Sequence, residues 1–443
     1  MSARVYWIAG LSLLMAVAVN AQVEPAATDG APGQEDSSQM RTPPPVSDEA
    51  YPVATRSEMR SNYLRAGLTF DTAYDDNVVP YYGTVPKSDF VYSIRPTIAL
   101  DQTTPRLHQM LTYSPGFTIY QRTSARNEAG QNAAASVQYQ FSPHGAVSLR
   151  DSFLKSSNTF NQINAGVTGL PLPWTDGAIP PIADRQNNSA SGEVTYQFSK
   201  NGMLGGGGSL AKLTFPKLSE VPGLCDSSSH GGSVFYNLRL TGSQYAGVTY
   251  QFENSVACPA VQQSRTQTHT LNFFYSLYLM RSLSLSLSGG PQHFDSLMLP
   301  FPSSSAWTPA ITASTGWQSG HVSLAANYSR TVNGGGGLFG AYHSNSATGQ
   351  ARWQLARYWS LESQGSYEIH KTVNSLFVSS SAGGHTVSGR MSIERIIGPH
   401  ITLYAGYQRM HQSYGAIAAV SNSPDSNREF VSVTYRFEKP LGR

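Results

Sequence analysis

The chain has 443 residues, of which 40% are hydrophobic, 11% aromatic and only 13% charged, with 40 Gly and a formal net charge of +3. An average soluble domain carries about 25% charge, and a helical membrane protein needs several runs of about 20 apolar residues, so the composition argues against a cytosolic enzyme and against a helical bundle. The mild basicity argues against nucleic-acid binding, whereas Gly, Ser, Thr, Asn, Gln and the 24 Tyr fit strands that need an apolar residue only at alternate positions.

The N-terminus carries the one long apolar run. Arg4 supplies a basic start, Val5 to Val19 an apolar core interrupted by Gly10 and Ser12, and Val19-Asn20-Ala21 a small-residue cleavage site. Residues 1–21 are therefore expected to be a signal peptide. Residues 22–60 follow with Pro43-Pro44-Pro45 and seven acidic side chains against three Arg. Such a segment buries too little apolar surface to offset its ordering entropy, so it is expected to be a disordered acidic periplasmic tail, available to export partners.

From Tyr63 the pattern is alternation of apolar and polar residues, the mark of a strand with two unlike faces. Strands are expected at 63–74, 88–101, 106–121, 130–142, 145–156, 186–199, 202–215, 229–241, 244–255, 265–279, 282–294, 305–317, 320–332, 341–356, 358–370, 384–397, 400–411 and 427–438. The signature is clearest in Val431, Val433, Tyr435 and Phe437, with Ser432, Thr434 and Arg436 between them, and in Leu283, Leu285 and Leu287 alternating with Ser. It is imperfect at Asp151 and Lys212, which fall on the apolar parity, and at Gly205 to Gly208, where a bulge could reverse parity.

Connector lengths alternate along the whole chain, from tight turns such as Ser142-Pro143-His144-Gly145 and Gly398-Pro399 to longer loops. An even strand count, short periplasmic turns and long external loops describe a closed transmembrane antiparallel β-barrel spanning 61–438 with a short tail at 439–443. The expected count is eighteen strands, with sixteen as the alternative. Aromatics near strand ends (Tyr139, Phe141, Tyr196, Phe198, Trp353, Trp359) are assigned to a periplasmic girdle.

If the apolar parity faces lipid, the pore-lining candidates are Arg65, Arg95, Arg150, Arg239, Arg352, Arg390 and Arg436 with Glu193, Glu362, Glu368 and Glu394. The lumen is then expected to be wet and mildly cationic. The longest loop, Ser157 to Arg185, is the third external one and is stiffened by Pro171, Pro173, Pro180 and Pro181. It resembles the third loop of general diffusion porins, which narrows the pore. That resemblance implies a constriction involving Trp174, Asp176 and Asp184, with the two carboxylates opposing Arg95 and Arg150; the alternative is a surface loop without pore contact. Cys225 and Cys258 lie in neighbouring external loops and most simply form one disulfide. No phosphate-binding, metal-ligand or catalytic spacing follows a suitable element, so no cofactor, metal or enzymatic activity is expected.

The stretch Tyr113-Ser114-Pro115-Gly116-Phe117, with Tyr139-Gln140-Phe141-Ser142-Pro143 and Leu149 to Phe153, resembles the outer-membrane β-barrel porin family of the porin 2 type, including barrels encoded beside exopolysaccharide and exosortase clusters. The final Val-Tyr-Phe strand also resembles the signal read by the barrel-assembly machinery, although Glu438 to Arg443 follow Phe437. The resemblance implies a bacterial outer-membrane location, contact with membrane lipid and lipopolysaccharide, and a channel for small hydrophilic solutes. Its alternative is an outer-membrane component of an exopolysaccharide export system; a third is a structural or adhesive surface protein. It leaves the oligomeric state open.

Overall fold

The computed structural model describes residues 40, 62–78, 85–157, 184–218, 224–258, 263–280, 282–298, 302–334, 340–373, 383–414 and 425–441. The first strands are β1 (Tyr63–Asp75), β2 (Asp89–Thr103), β3 (Leu107–Tyr120), β4 (Glu128–Ser142), β5 (Gly145–Ser156) and β6 (Arg185–Gln197). They are followed by β7 (Gly202–Thr214), β8 (Ser227–Thr241), β9 (Gln244–Ala257), β10 (Ser264–Met280), β11 (Leu283–Met298) and β12 (Ser304–Gln318). The last six are β13 (Val322–Asn333), β14 (Tyr342–Ala356), β15 (Trp359–Thr372), β16 (Gly384–Ile397), β17 (Ile401–Tyr414) and β18 (Asp425–Pro440). The only helical element among the described residues is a single turn at Ser124–Arg126.

Every strand pairs antiparallel with its neighbour in sequence, and β1 pairs with both β2 and β18, which closes one 18-stranded barrel. The sixteen-strand alternative is thereby excluded. Closure follows from the solvent: in lipid no water satisfies a free strand edge, so N–H and C=O groups must pair within the sheet.

The two parities separate as the alternation requires. Val431, Val433, Tyr435 and Phe437 are exposed on the outside of β18, while Ser432 between them is buried. Cross-strand register carries the same face onto each neighbour, as in Leu68 beside Tyr435 and Phe70 beside Val433. Tyr139, Phe141, Tyr196, Phe198 and Trp353 stand exposed near the short turns. There Trp359 also holds the Arg395 guanidinium 4.9 Å from its ring centre, an arrangement suited to a membrane interface.

The imperfect strands need no parity reversal. The β4–β5 ladder runs unbroken from Gln131 to Gln140, and β5–β6 and β6–β7 have no register shift. Asp151 and Lys212 therefore face outward, and both are exposed. The glycine run in β7 has a packing reason: a Cβ on inward-facing Gly205 would collide with the Phe235 ring.

The ladder is shortened at one seam. β12 pairs with β13 only from Ile311↔Arg330 to Gln318↔Ser323, although β12 continues outward to Ser304 against β11.

Cys225 and Cys258 are joined, tying the loop before β8 to the loop after β9 across 33 residues. The chain-entropy argument assigns such a closed loop about 3–4 kcal/mol. Replacing both Cys by Ser is expected to lower the thermal unfolding midpoint by several degrees in detergent, read as loss of the compact, heat-modifiable band on gels.

Candidate functional site

The inward parity builds the lumen. Arg65, Arg95, Arg150, Arg239, Arg352, Arg390 and Arg436 all lie on it, as do Glu193, Glu362, Glu368 and Glu394, since each is aligned across strands with residues opposite in parity to the exposed apolar belt. The same faces bring in carboxylates that the sequence reading left out: Asp71, Asp75, Asp89, Asp101, Glu128, Glu253 and Glu438. Arg185 and Arg428 join them. The expectation of a mildly cationic lumen is thus corrected, because the inward carboxylates slightly outnumber the guanidinium groups. Parity alone held the missing signal, since Asp71, Asp75 and Asp101 alternate in register with Arg65 and Arg95.

Three clusters organise these charges. Midway along β1 and β2, Asp71 Oδ2 accepts from Arg95 Nη2 at 2.6 Å and Nε at 3.1 Å, and from Ser93 Oγ at 2.9 Å. Toward the short-turn end, Glu394 accepts from Arg352 Nη2 at 3.0 Å, Ser360 Oγ at 2.6 Å and Tyr404 OH at 3.3 Å. Arg352 Nη1 lies 3.6 Å from Glu362, and Arg436 donates to Tyr404 OH at 3.1 Å. Arg65 faces Glu438 at 3.5 Å. Toward the long-loop end, Arg428 Nη2 meets Asp75 Oδ2 at 3.1 Å. A guanidinium suits these places because its fork of donors engages several oxygens at once.

The charge is confined to part of the circumference. β10 to β13 direct Ser, Thr, Asn, Gln, Ala, Gly, Phe and Tyr side chains inward, and no charged residue of these strands points into the lumen among the described residues. Their hydroxyls bond to one another, as in Ser276 and Ser286 at 2.6 Å. One wall is therefore neutral and rich in hydroxyls, and the opposite wall is charged and internally paired.

The extracellular half is narrowed from the β13 side. The end of β13 parts from β12 while staying paired with β14, and it packs against β11, where Val332 joins Phe294, Ala341 and Val373 in one buried cluster. Gly334 continues across the lumen to lie against Ser255 of β9 and Thr266 of β10, with no room for a Cβ. Beside it, buried His370 meets Ser344 Oγ at 3.3 Å and stacks on Tyr414. The third external loop is placed otherwise where it is described. Asp184 pairs with outward-facing Lys155 at 3.8 Å, not with Arg95 or Arg150. Trp174 and Asp176 lie outside the described residues.

The periplasmic mouth is also occupied. Met40, the described residue of the 22–60 segment, is buried against inward-facing Met203, Phe235 and Tyr245, with Tyr278 packed alongside. Its N–H donates to Gln197 Oε1 at 2.9 Å. Composition gave no hint of this contact, because a single methionine in a polar segment has no periodicity.

Two outcomes follow. Glu394→Leu removes the nearer carboxylate partner of Arg352, leaving it Glu362 alone, and should destabilise the barrel by about 3 kcal/mol, the scale for breaking a buried pair, measured as a lower denaturant midpoint. Met40→Asp places a charge in the aromatic mouth and should raise single-channel conductance; a conductance equal to that of the wild type would mean that Met40 does not obstruct the path.

No family model and no curated protein matches the sequence. Among solved structures, the chain is similar to OpdL of Pseudomonas aeruginosa at 10% identity, covering 85% of this chain and 98% of that one with a TM-score of 0.39. It is similar to OccK2 (OpdF) of Pseudomonas aeruginosa at 10% identity, covering 86% and 98% with a TM-score of 0.42. It is likewise similar to OccAB3 of Acinetobacter baumannii at 10% identity, covering 85% and 99% with a TM-score of 0.40.

Proposed function

We propose that this protein is an outer-membrane channel that lets small hydrophilic solutes diffuse through its lumen. The observation that carries the reading is the closed barrel with an exposed apolar belt outside and polar side chains at inward positions of every strand. An 18-stranded barrel is wide enough to hold an aqueous path unless something fills it. The β13 fold and Met40 narrow that path at its two ends without closing the middle with apolar packing.

Because Arg65, Arg95, Arg352 and Arg428 face carboxylates at close range, the net field along the path is weak, and selection by charge is correspondingly weak. The hydroxyl wall of β10 to β13 offers donors and acceptors to uncharged polar solutes, while the paired wall opposite it orients their dipoles. The third external loop would add a further narrowing.

Purified protein in planar bilayers should conduct, with cation and anion permeabilities within a few-fold of one another. Asp71→Asn frees Arg95 and should shift the reversal potential toward anion preference; Arg95→Gln should shift it toward cations. A barrel that inserts and passes no ions overturns the channel reading.

A further inference from the structure

The shortened ladder between β12 and β13 has a specific chemical cause. Gln318 N–H donates to Ser282 O in the β11 register, so even-numbered residues of β12 turn their backbone groups toward β11. Odd-numbered ones turn theirs toward β13. Continuing the β12–β13 register beyond Ile311↔Arg330 would bring Pro309 opposite Val332. Proline has no N–H to give, so the ladder stops there.

A side chain takes over the missing strand's role. Val332 N–H donates to Gln292 Oε1 at 2.7 Å, and Gln292 Nε2 donates to Val332 O at 3.1 Å. The Gln292 amide of β11 thus satisfies both backbone groups of Val332, whose C=O Pro309 has no N–H to serve, and it draws the end of β13 inward. Phe294, Ala341 and Val373 pack around Val332 in one buried cluster.

Ser304 to Ala310 consequently stand in the wall with β11 on one side and no paired strand on the other among the described residues. These seven positions cover about 20 Å along the strand, in the extracellular half of the barrel. Their outer face carries Trp307 and Pro309, with Ser305 hydrogen-bonded to His293 farther out. Trp307 is 70% exposed, and it borders a shallow, open depression with Pro291, Pro309 and Ile311. Inside the seam the groups are polar, with Gln292 and Thr308 facing the lumen.

We propose that the β12–β13 seam is a lateral port through which a single-chain amphiphile, such as a fatty acid, passes between the outer leaflet and the lumen. The seam matches that chemistry in both directions: its outer lip continues the lipid-facing belt for an acyl chain, and its inner lip offers amide and hydroxyl groups to a polar head. The Gln292–Val332 bonds and the Phe294 cluster hold the port shut, and it opens when the end of β13 leaves β11. The port rests on the barrel spanning the membrane and is independent of whether the lumen also conducts hydrophilic solutes.

The test uses the full chain in proteoliposomes whose bilayer contains a diazirine-bearing fatty acid, with adducts located by mass spectrometry. Wild-type barrels should be labelled at lumen-facing Thr312 and Asn327 as well as at outward-facing Ile311. Phe294→Cys with Val332→Cys, once oxidised, pins β13 to β11. It should cut lumen labelling about tenfold, as expected for a gated step, leave Ile311 labelling unchanged, and recover on mild reduction. Gln292→Leu removes the amide and should raise lumen labelling above wild type. Heat-modifiable migration selects folded barrels, and ion conductance measured on the same preparations reports the channel reading separately. Lumen labelling equal in pinned and reduced barrels, or unchanged by Gln292→Leu, overturns the port.

Discussion

Inside a bilayer a backbone N–H or C=O without a partner costs several kcal/mol, and this requirement dictates most of what the molecule is. It compels the sheet to close, so β1 must meet β18. Closure fixes two faces for every strand, and lipid claims one of them. The lumen is then built from the parity that remains, which is why its chemistry is read from alternate residues and not from any motif. At the departure from regular pairing the rule is met on one side of the break: where Pro309 cannot continue the ladder, a side-chain amide from Gln292 supplies the partner for Val332.

Charge within that lumen is governed by the same economy of partners. Every inward-facing cationic strand residue apart from histidine is an arginine among the described residues, and the lysines at 155, 212, 371 and 439 lie on the outer parity. A guanidinium can serve a carboxylate with several donors while keeping a fixed plane, as Arg95 does for Asp71. An ammonium on a flexible stem suits the outer surface near the strand ends, where water and lipid headgroups are at hand. Confining the paired charges away from β10 to β13 leaves a hydroxyl wall with no strong local field, so a solute between the walls meets hydrogen-bonding groups on one side and oriented ion pairs on the other.

How much of this could be read from the sequence follows from the range of the forces involved. Strand positions and their inward or outward parity were legible because each depends on neighbours two residues away, as in Val431, Val433, Tyr435 and Phe437. Asp151 and Lys212 invited a bulge on local grounds, yet the ladders on either side of them are continuous. The charge balance depends on the whole inward parity, Asp71 and Asp75 included, and no local motif marks those two as lumen residues. The inward turn of β13 was not legible at all. It depends on Gln292, 40 residues from Val332, and on the register that sets Pro309 opposite Val332. Met40 in the periplasmic mouth is a similar case, its partner Gln197 being 157 residues away.

The constriction and the seam are one feature seen from two sides. Taking the end of β13 out of the wall places Val332 and Gly334 across the lumen and, by the same displacement, leaves Ser304 to Ala310 with a single paired neighbour. A strand end cannot lie both in the wall and across the pore. Any movement that returns it to β12 widens the extracellular half of the lumen, and it must do so against Pro309, which offers one backbone acceptor and no donor. The wall position is therefore the poorer one for Val332, whose N–H and C=O are both satisfied at Gln292. The inward position is favoured by Val332's demand for partners and opposed by that of Ser305 and Trp307, whose backbone groups then face no paired strand among the described residues.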